Sequence, residues 1–172
     1  GVNLLFLVET PALVQPQALT VSAVLLDGVQ DPGNVGSILR SAGAAGITQV
    51  FCSAGTAFCW SPKVLRAAMG AHFVLEIFEN VDLSALVDAS GIPVLAMSGY
   101  AEQTLYDVDL RGPVALVVGS EGRGLPPAVL ERAHARLRVP LAGPVESLNV
   151  GVAAAPVLFE AARQRGSRAA RG

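Results

Sequence analysis

The sequence predicts an α/β domain whose mostly parallel sheet is covered by helices on both faces. Two observations carry this. Short β-branched or aliphatic runs alternate along the chain with Ala-rich helical stretches. In addition, 172 residues that are 52% hydrophobic and only 15% charged supply enough apolar material for one well-filled core.

Taken in order, the strand candidates are Ala23–Leu26, Gln49–Cys52, Val74–Phe78, Val94–Met97, Val114–Val118 and Leu137–Pro140. The helix candidates fall between them, at about Asn34–Ala45, Pro62–Ala71, Asp82–Ala89, Pro126–Ala135 and Ser147–Arg163. The second helix has a well-formed start, with Ser61 as N-cap and Pro62 at its first position. Pro156 interrupts the last helix by removing a backbone donor, so a kink near Val152 or a delayed start is expected. Residues 1–20, with Pro11 and Pro16, read as a linker or the remnant of a preceding domain. The working unit spans residues 21–165, and residues 166–172 read as a flexible basic tail. The chain begins at Gly1 rather than Met, which raises the expectation of a domain cut from something longer.

Several function classes are set aside by composition. No apolar run reaches the ~18 residues of a membrane span and no secretory signal is visible, so the expected setting is cytoplasmic without membrane contact. Cys52 and Cys59 are too few, and too far from any His cluster, to hold a metal; both read as free thiols. A net charge of −2 argues against nucleic-acid contact over the whole surface, although Arg40, Lys63, Arg66, Arg123, Arg132, Arg136 and Arg138 leave room for a local basic face.

In a parallel sheet, ligands bind beyond the carboxyl ends of the strands, which directs attention to three loops. The first, Asp27-Gly-Val-Gln-Asp-Pro-Gly-Asn-Val-Gly-Ser-Ile-Leu-Arg40, empties a strand into a turn and a helix beginning near Asn34. The second, Gly119-Ser-Glu-Gly-Arg-Gly124, sets three glycines around the Glu121 carboxylate without matching a P-loop or a dinucleotide fingerprint. The third, Val139-Pro-Leu-Ala-Gly-Pro-Val-Glu-Ser-Leu-Asn149, runs into the last helix with Ser147 as the expected N-cap and Asn149 inside the first turn. Each loop by itself also has an ordinary reading as a turn with a cap.

Together, in this order and separation, the three loops resemble the motifs of the SpoU (TrmH-type) branch of the SPOUT RNA methyltransferases. The likeness covers roughly Leu25 to Glu160, and Ser61-Pro-Lys-Val-Leu-Arg-Ala-Ala-Met-Gly70 is similar to the family's intermediate segment. The resemblance implies a deep carboxy-terminal trefoil knot, from about Leu95 to the final helix, which periodicity alone would exclude. It implies S-adenosylmethionine as methyl donor, no metal, and a ribose 2′-hydroxyl of structured ribosomal or transfer RNA as acceptor. The donor residues it implies are Met97, Ser98 and Gly99; Val118, Gly119, Ser120 and Gly122; Val139 and Leu141; and Ser147 with Leu148. The catalytic set it implies is Asn34, Arg40, Glu121, Ser147 and Asn149, in a homodimer that shares the active site between subunits.

A guanidinium is a poor general base, so Arg40 is expected to stabilise negative charge on oxygen or to hold a phosphate, with Glu121 orienting Arg40 or accepting the proton. Gly151 stands where relatives commonly carry a small polar residue. His72 and His134 lie outside the motif loops and read as structural. Phe51, Phe58 and Trp60 read as core rather than base-stacking residues, and Asp107 with Asp109 as a solvated loop. The alternative function is a non-catalytic RNA-binding protein that keeps the donor pocket.

Overall fold

The computed structural model describes residues 9–169. Within them the chain forms β1 (Ala23–Asp27), α1 (Pro32–Ala44), β2 (Gln49–Cys52), α2 (Pro62–Ala68), a one-turn 3-10 helix (Ala71–Phe73), β3 (Glu76–Phe78) and α3 (Leu83–Asp88). It continues with β4 (Val94–Met97), β5 (Gln103–Thr104), β6 (Ala115–Gly119), α4 (Pro127–Arg132), β7 (Ala135–Arg138) and α5 (Val150–Ala169). The seven strands make one sheet in the order β3-β2-β1-β6-β4-β7-β5, and every pairing is parallel.

Side chains of a strand alternate between faces, and the core divides accordingly. Val24 and Leu26 of β1 join Val35, Ile38 and Leu39 of α1, Val64 and Ala68 of α2, and Ala154, Val157 and Leu158 of α5. On the opposite face Ala23 and Leu25 meet Leu83, Leu86 and Val87 of α3 and Val129 of α4. The sheet is therefore covered on both sides, as expected.

Several boundaries differ from the sequence reading. Val74 and Leu75 are not strand, because Ala71–Phe73 closes a turn in which the Val74 amide bonds Ala71 O at 3.0 Å. The strand expected at Leu137–Pro140 lies at Ala135–Arg138, and the two-residue β5 has no periodic signature to betray it. Residues 1–8 of the expected linker lie outside the described residues; of the rest, Leu19 is fully buried and its carbonyl accepts from the Gly91 amide at 3.0 Å. α5 begins three residues later than expected and continues unbroken through Pro156 to Ala169, into the stretch read as tail.

α5 is fastened near its end by side chains. The Leu110 amide donates to Gln164 Oε1 at 2.8 Å, and Arg165 Nε donates to Leu110 O at 3.4 Å. Glu160 accepts from Arg163 Nη2 at 2.7 Å, Arg163 Nε at 2.8 Å and Gln164 Nε2 at 3.0 Å. The Arg163 guanidinium, then the Gln164 amide, pull the Glu160 carboxyl down from 4.5 to about 2. A depressed folded-state pKa contributes stability that is present above the unfolded value and is lost as pH falls through the folded one. Part of the loss of stability on acidification from pH 4.5 to about 2 is therefore expected to come from Glu160. Denaturant melts at a series of pH values test this: Glu160→Gln should flatten that limb, and parallel profiles for variant and wild type would remove Glu160 as its source.

Candidate active site

The switch in strand order occurs beside β1: β2 and β3 lie on one side, and every later strand on the other. Crevices open at such points, beyond the carboxyl ends. Asp27 pairs in register with Gly119, so the first two motif loops leave the sheet side by side.

The first loop is capped by Asp31, whose Oδ1 accepts from the Asn34 amide at 2.8 Å, with Pro32 opening the helix. The helix start thus lies ahead of Asn34, which occupies the first turn with its side-chain amide free to face the other loops. Asp-Pro is a helix-start signature, and it was the available signal for this positioning residue.

The second loop is a tight hook. Ser120 and Gly124 form an antiparallel bridge, with the Gly124 amide donating to Ser120 O at 2.9 Å, and Gly124 has a φ of +65°. A Cβ on Gly119 would come within 2.4 Å of the Gly124 carbonyl carbon. Only glycine permits this closure, which leaves Glu121 at the exposed tip.

The third loop delivers Asn149. Asn149, not Ser147, caps α5: its Oδ1 accepts from the Val152 amide at 3.2 Å, and its carbonyl accepts from the Ala153 amide at 2.8 Å. Asn is among the strongest N-caps, and it displaces the serine two residues earlier. The other end of the same side chain reaches back to α1, Asn149 Nδ2 donating to Asn34 Oδ1 at 2.8 Å. Asn34 Nδ2 in turn donates to Glu121 Oε1. A continuous chain Glu121–Asn34–Asn149 therefore links all three loops. Gly151 serves this approach, since a Cβ there would stand 2.3 Å from Ser37 Oγ.

Not every expected residue joins this chain. Glu121 pairs with Asn34 rather than with Arg40, and among the described residues the side chains of Arg40 and Ser147 make no hydrogen bond or ion pair. At 3.6 residues per turn, Arg40 lies about 9 Å further along α1 than Asn34 and about 120° around it. Both Arg40 and Ser147 are exposed.

The expected donor residues form a neighbouring rim. β4 pairs with both β6 and β7, so Met97–Gly99, Val118–Gly122 and Val139–Leu141 leave three adjacent strands. The Ser98 amide donates to Leu137 O at 3.0 Å, and Arg138 Nε donates to Ala101 O at 3.0 Å, tying the first of these loops to the third. Gly99 and Gly122 have no atom within 4 Å of where a Cβ would stand, and Leu141 and Leu148 are partly open. A backbone-rich, largely uncharged rim of this kind fits an adenine and a small zwitterion, which need carbonyl and amide partners and apolar walls more than countercharges.

The residues read as structural behave so. His134 Nδ1 accepts from the Val94 amide at 3.1 Å, and His72 Nε2 lies 2.8 Å from Cys59 O with its ring tilted on Trp60 at 4.8 Å. Phe51 is buried and stacked on Phe78. Phe58, expected in the core, is exposed because its loop turns outward before α2. Asp107 caps the Thr104 turn, and Asp109 pairs with Arg111; both carboxyls are lowered by these partners. Cys52 and Cys59 are free and buried. Among the described residues, no three His, Cys, Asp or Glu side chains stand together as a metal site.

Residues 22–159 match the family described as the SpoU rRNA Methylase family. The chain belongs to that family. This SpoU chain is 38% identical over 160 residues to the 23S rRNA (guanosine-2'-O-)-methyltransferase RlmB of Xanthomonas campestris, covering 91% of the chain and 64% of that relative. It superposes with a TM-score of 0.79 on the SpoU methyltransferase AviRb from Streptomyces viridochromogenes in complex with AdoMet, at 30% identity over 90% of the chain and 60% of AviRb. The TrmH/SpoU tRNA modifying enzyme of A. aeolicus gives 0.73 at 28% identity, over 90% and 78% of the two chains. The SpoU chain thus spans just under two thirds of its ribosomal relative.

Proposed function

We propose that this chain carries out S-adenosylmethionine-dependent methyl transfer to a ribose 2′-hydroxyl of ribosomal or transfer RNA. The observation that carries the reading is the Glu121–Asn34–Asn149 chain, which gathers the three motif loops beside the donor rim. The relatives named above, which act on each RNA class and include one in complex with AdoMet, support substrate and donor. The setting is the cytoplasm, and no helix among the described residues is long and apolar enough to cross a membrane.

Met97–Gly99, Val118–Gly122, Val139–Leu141 and Leu148 would hold the donor, which supplies an already activated sulfonium methyl. The protein's task is then alignment of the 2′-oxygen, and good positioning is worth about 7–11 kcal/mol. Asn34 and Asn149 fix the Glu121 carboxylate, which takes the hydroxyl proton, and Arg40 offsets the negative charge growing on oxygen. Glu121→Gln keeps the Asn34 hydrogen bond while removing the base, so it should alter the pH–rate profile. An unchanged profile would remove Glu121 from that role.

The unit is a homodimer. A groove of about 530 Å³ between α1 and α5 is lined by Ser37, Ser41, Gly151, Val152, Ala155 and Phe159, with Val152 and Phe159 half open to solvent. A second copy seated there would give a shared site, in which Arg40, without a side-chain partner among the described residues of its own subunit, finds its work. The family's trefoil knot is part of the same reading. It is supported by β7 lying beyond β4 rather than beside β6, and by α5 returning to pack on α1.

Incubating the protein and labelled donor with total RNA, then mapping 2′-O-methyl sites, tests the proposal. Label at discrete riboses is expected; label in protein or DNA but not RNA overturns it.

A further inference from the structure

The stretch from Pro32 to Leu75 contains no Asp or Glu, although the whole chain has net charge −2. It does contain Arg40, Lys63 and Arg66. Apart from β2, which lies in the sheet, it forms one layer: α1, α2 and the Ala71–Phe73 turn pack together on one face of the sheet. Gly36 meets Ala67 and Ala68, and Gly43 meets Val74 and Ala71. Arg40 lies between those two glycines on the flank of α1 that faces α2.

The same layer presents apolar side chains to solvent at its far end. Phe73 is 94% exposed and Met69 69% exposed, with Leu65 and Val74 beside them in sequence. Met69 holds a left-handed φ of 48°, followed by Gly70 at 87°, an arrangement that throws Met69 outward instead of continuing the helix inward. The turn that carries Phe73 is anchored by its neighbours: Ala71 is buried, and His72 is pinned by Cys59 O and the Trp60 ring. An exposed aromatic ring in a stretch whose own charged side chains are all cations, and whose contacting carboxylates Glu76 and Glu79 are engaged by the Gln49 side chain and the Cys59 amide, matches a nucleobase attached to phosphates. A protein partner of ordinary composition has no use for the missing negative charge.

We propose that this acid-free layer is an RNA-docking surface, distinct from the Glu121–Asn34–Asn149 site, in which an unpaired base stacks on Phe73 while Lys63 and Arg66 hold the adjoining phosphates. The inference rests on RNA being the acceptor and assigns the surface that grips it away from the methylated ribose. Base–aromatic stacking predicts that Phe73→Ala weakens binding of an unpaired RNA segment about 5- to 150-fold, with Phe73→Trp near wild type. Removing the two cations should lower the slope of log affinity against log salt by about 1–2.

The test uses fluorescence anisotropy of a labelled RNA hairpin with an unpaired loop, and of a matched duplex, against wild type, Phe73→Ala, Phe73→Trp and Lys63→Gln/Arg66→Gln. Donor affinity by calorimetry and association state by sedimentation are measured in parallel. A loss confined to the looped RNA for Phe73→Ala, rescued by Trp, with donor affinity unchanged, supports the proposal. RNA affinity and salt slope equal to wild type in all variants overturn it, as does a change in association state with unaltered RNA affinity, which would make the patch a contact between copies. Wild-type transfer to RNA that persists undiminished in these variants removes the docking surface alone, whereas absence of donor binding by wild type removes the methyl-transfer reading.

Discussion

Replacing Arg40 with alanine is expected to lower methyl transfer by at least about 10²-fold while leaving S-adenosylmethionine affinity within about twofold, since loss of one charge-stabilising donor typically costs that much. The physical case is the separation of functions in the structure. The proposed donor rim lies at the ends of β4, β6 and β7, whereas Arg40 stands on α1, about 120° around the helix from the Asn34 amide, with no side-chain partner among the described residues. A guanidinium left unpaired on an ordered helix, one and two-thirds turns beyond a polar cluster, has charge to spend on an incoming phosphate or oxyanion. Single-turnover rates with total RNA, read beside donor calorimetry, check the split. Normal turnover by Arg40→Ala would take Arg40 out of the mechanism.

Among the described glycines, Gly119→Ala should be strongly damaging, because the obstacle is backbone on every side. The added carbon would sit 2.4 Å from the Gly124 carbonyl carbon, 2.5 Å from its oxygen and 2.7 Å from the Leu125 nitrogen, all backbone atoms that cannot rotate away. Overpacking usually costs about 1–3 kcal/mol, and a backbone obstacle places this case at the upper end, about 3 kcal/mol. For a domain of this size that corresponds to a fall of roughly 6–12 °C in melting temperature. Opening the hook also displaces Glu121 and the Val118–Gly122 part of the rim, so donor affinity should drop at least about tenfold. Thermal melts and calorimetry on the same sample check both; a variant that melts and binds as wild type does would show that the hook is not closed in solution.

Most of the architecture was legible from the sequence because apolar runs and Ala-rich stretches obey different periods. What escaped is where two short-range preferences competed. Ser147 and Asn149 are both good caps, and only the presence of Asn34 across the groove, 115 residues away in sequence, decides between them. Phe58 and Phe73 look alike as apolar letters, yet both end outside, because the loop and the 3-10 turn that hold them are set by Cys59, Trp60 and His72 packing beneath. The Glu121–Asn34 pairing was equally out of reach, since spacing along the chain places Glu121 in a flexible-looking glycine loop and says nothing of which neighbour it meets.

Asn149 caps α5 with one atom of its amide and grips Asn34 with the other. The proposed reactive centre is therefore finished by the same event that starts the last helix. During synthesis, residue 34 emerges early and residue 149 near the end, and domains fold as their segments become available. Until α5 is in place, Asn34 is without its second partner, and the core face of β1 and α1 is without Ala154, Val157 and Leu158. The proposed methyl-transfer site is thereby incomplete until α5 has formed.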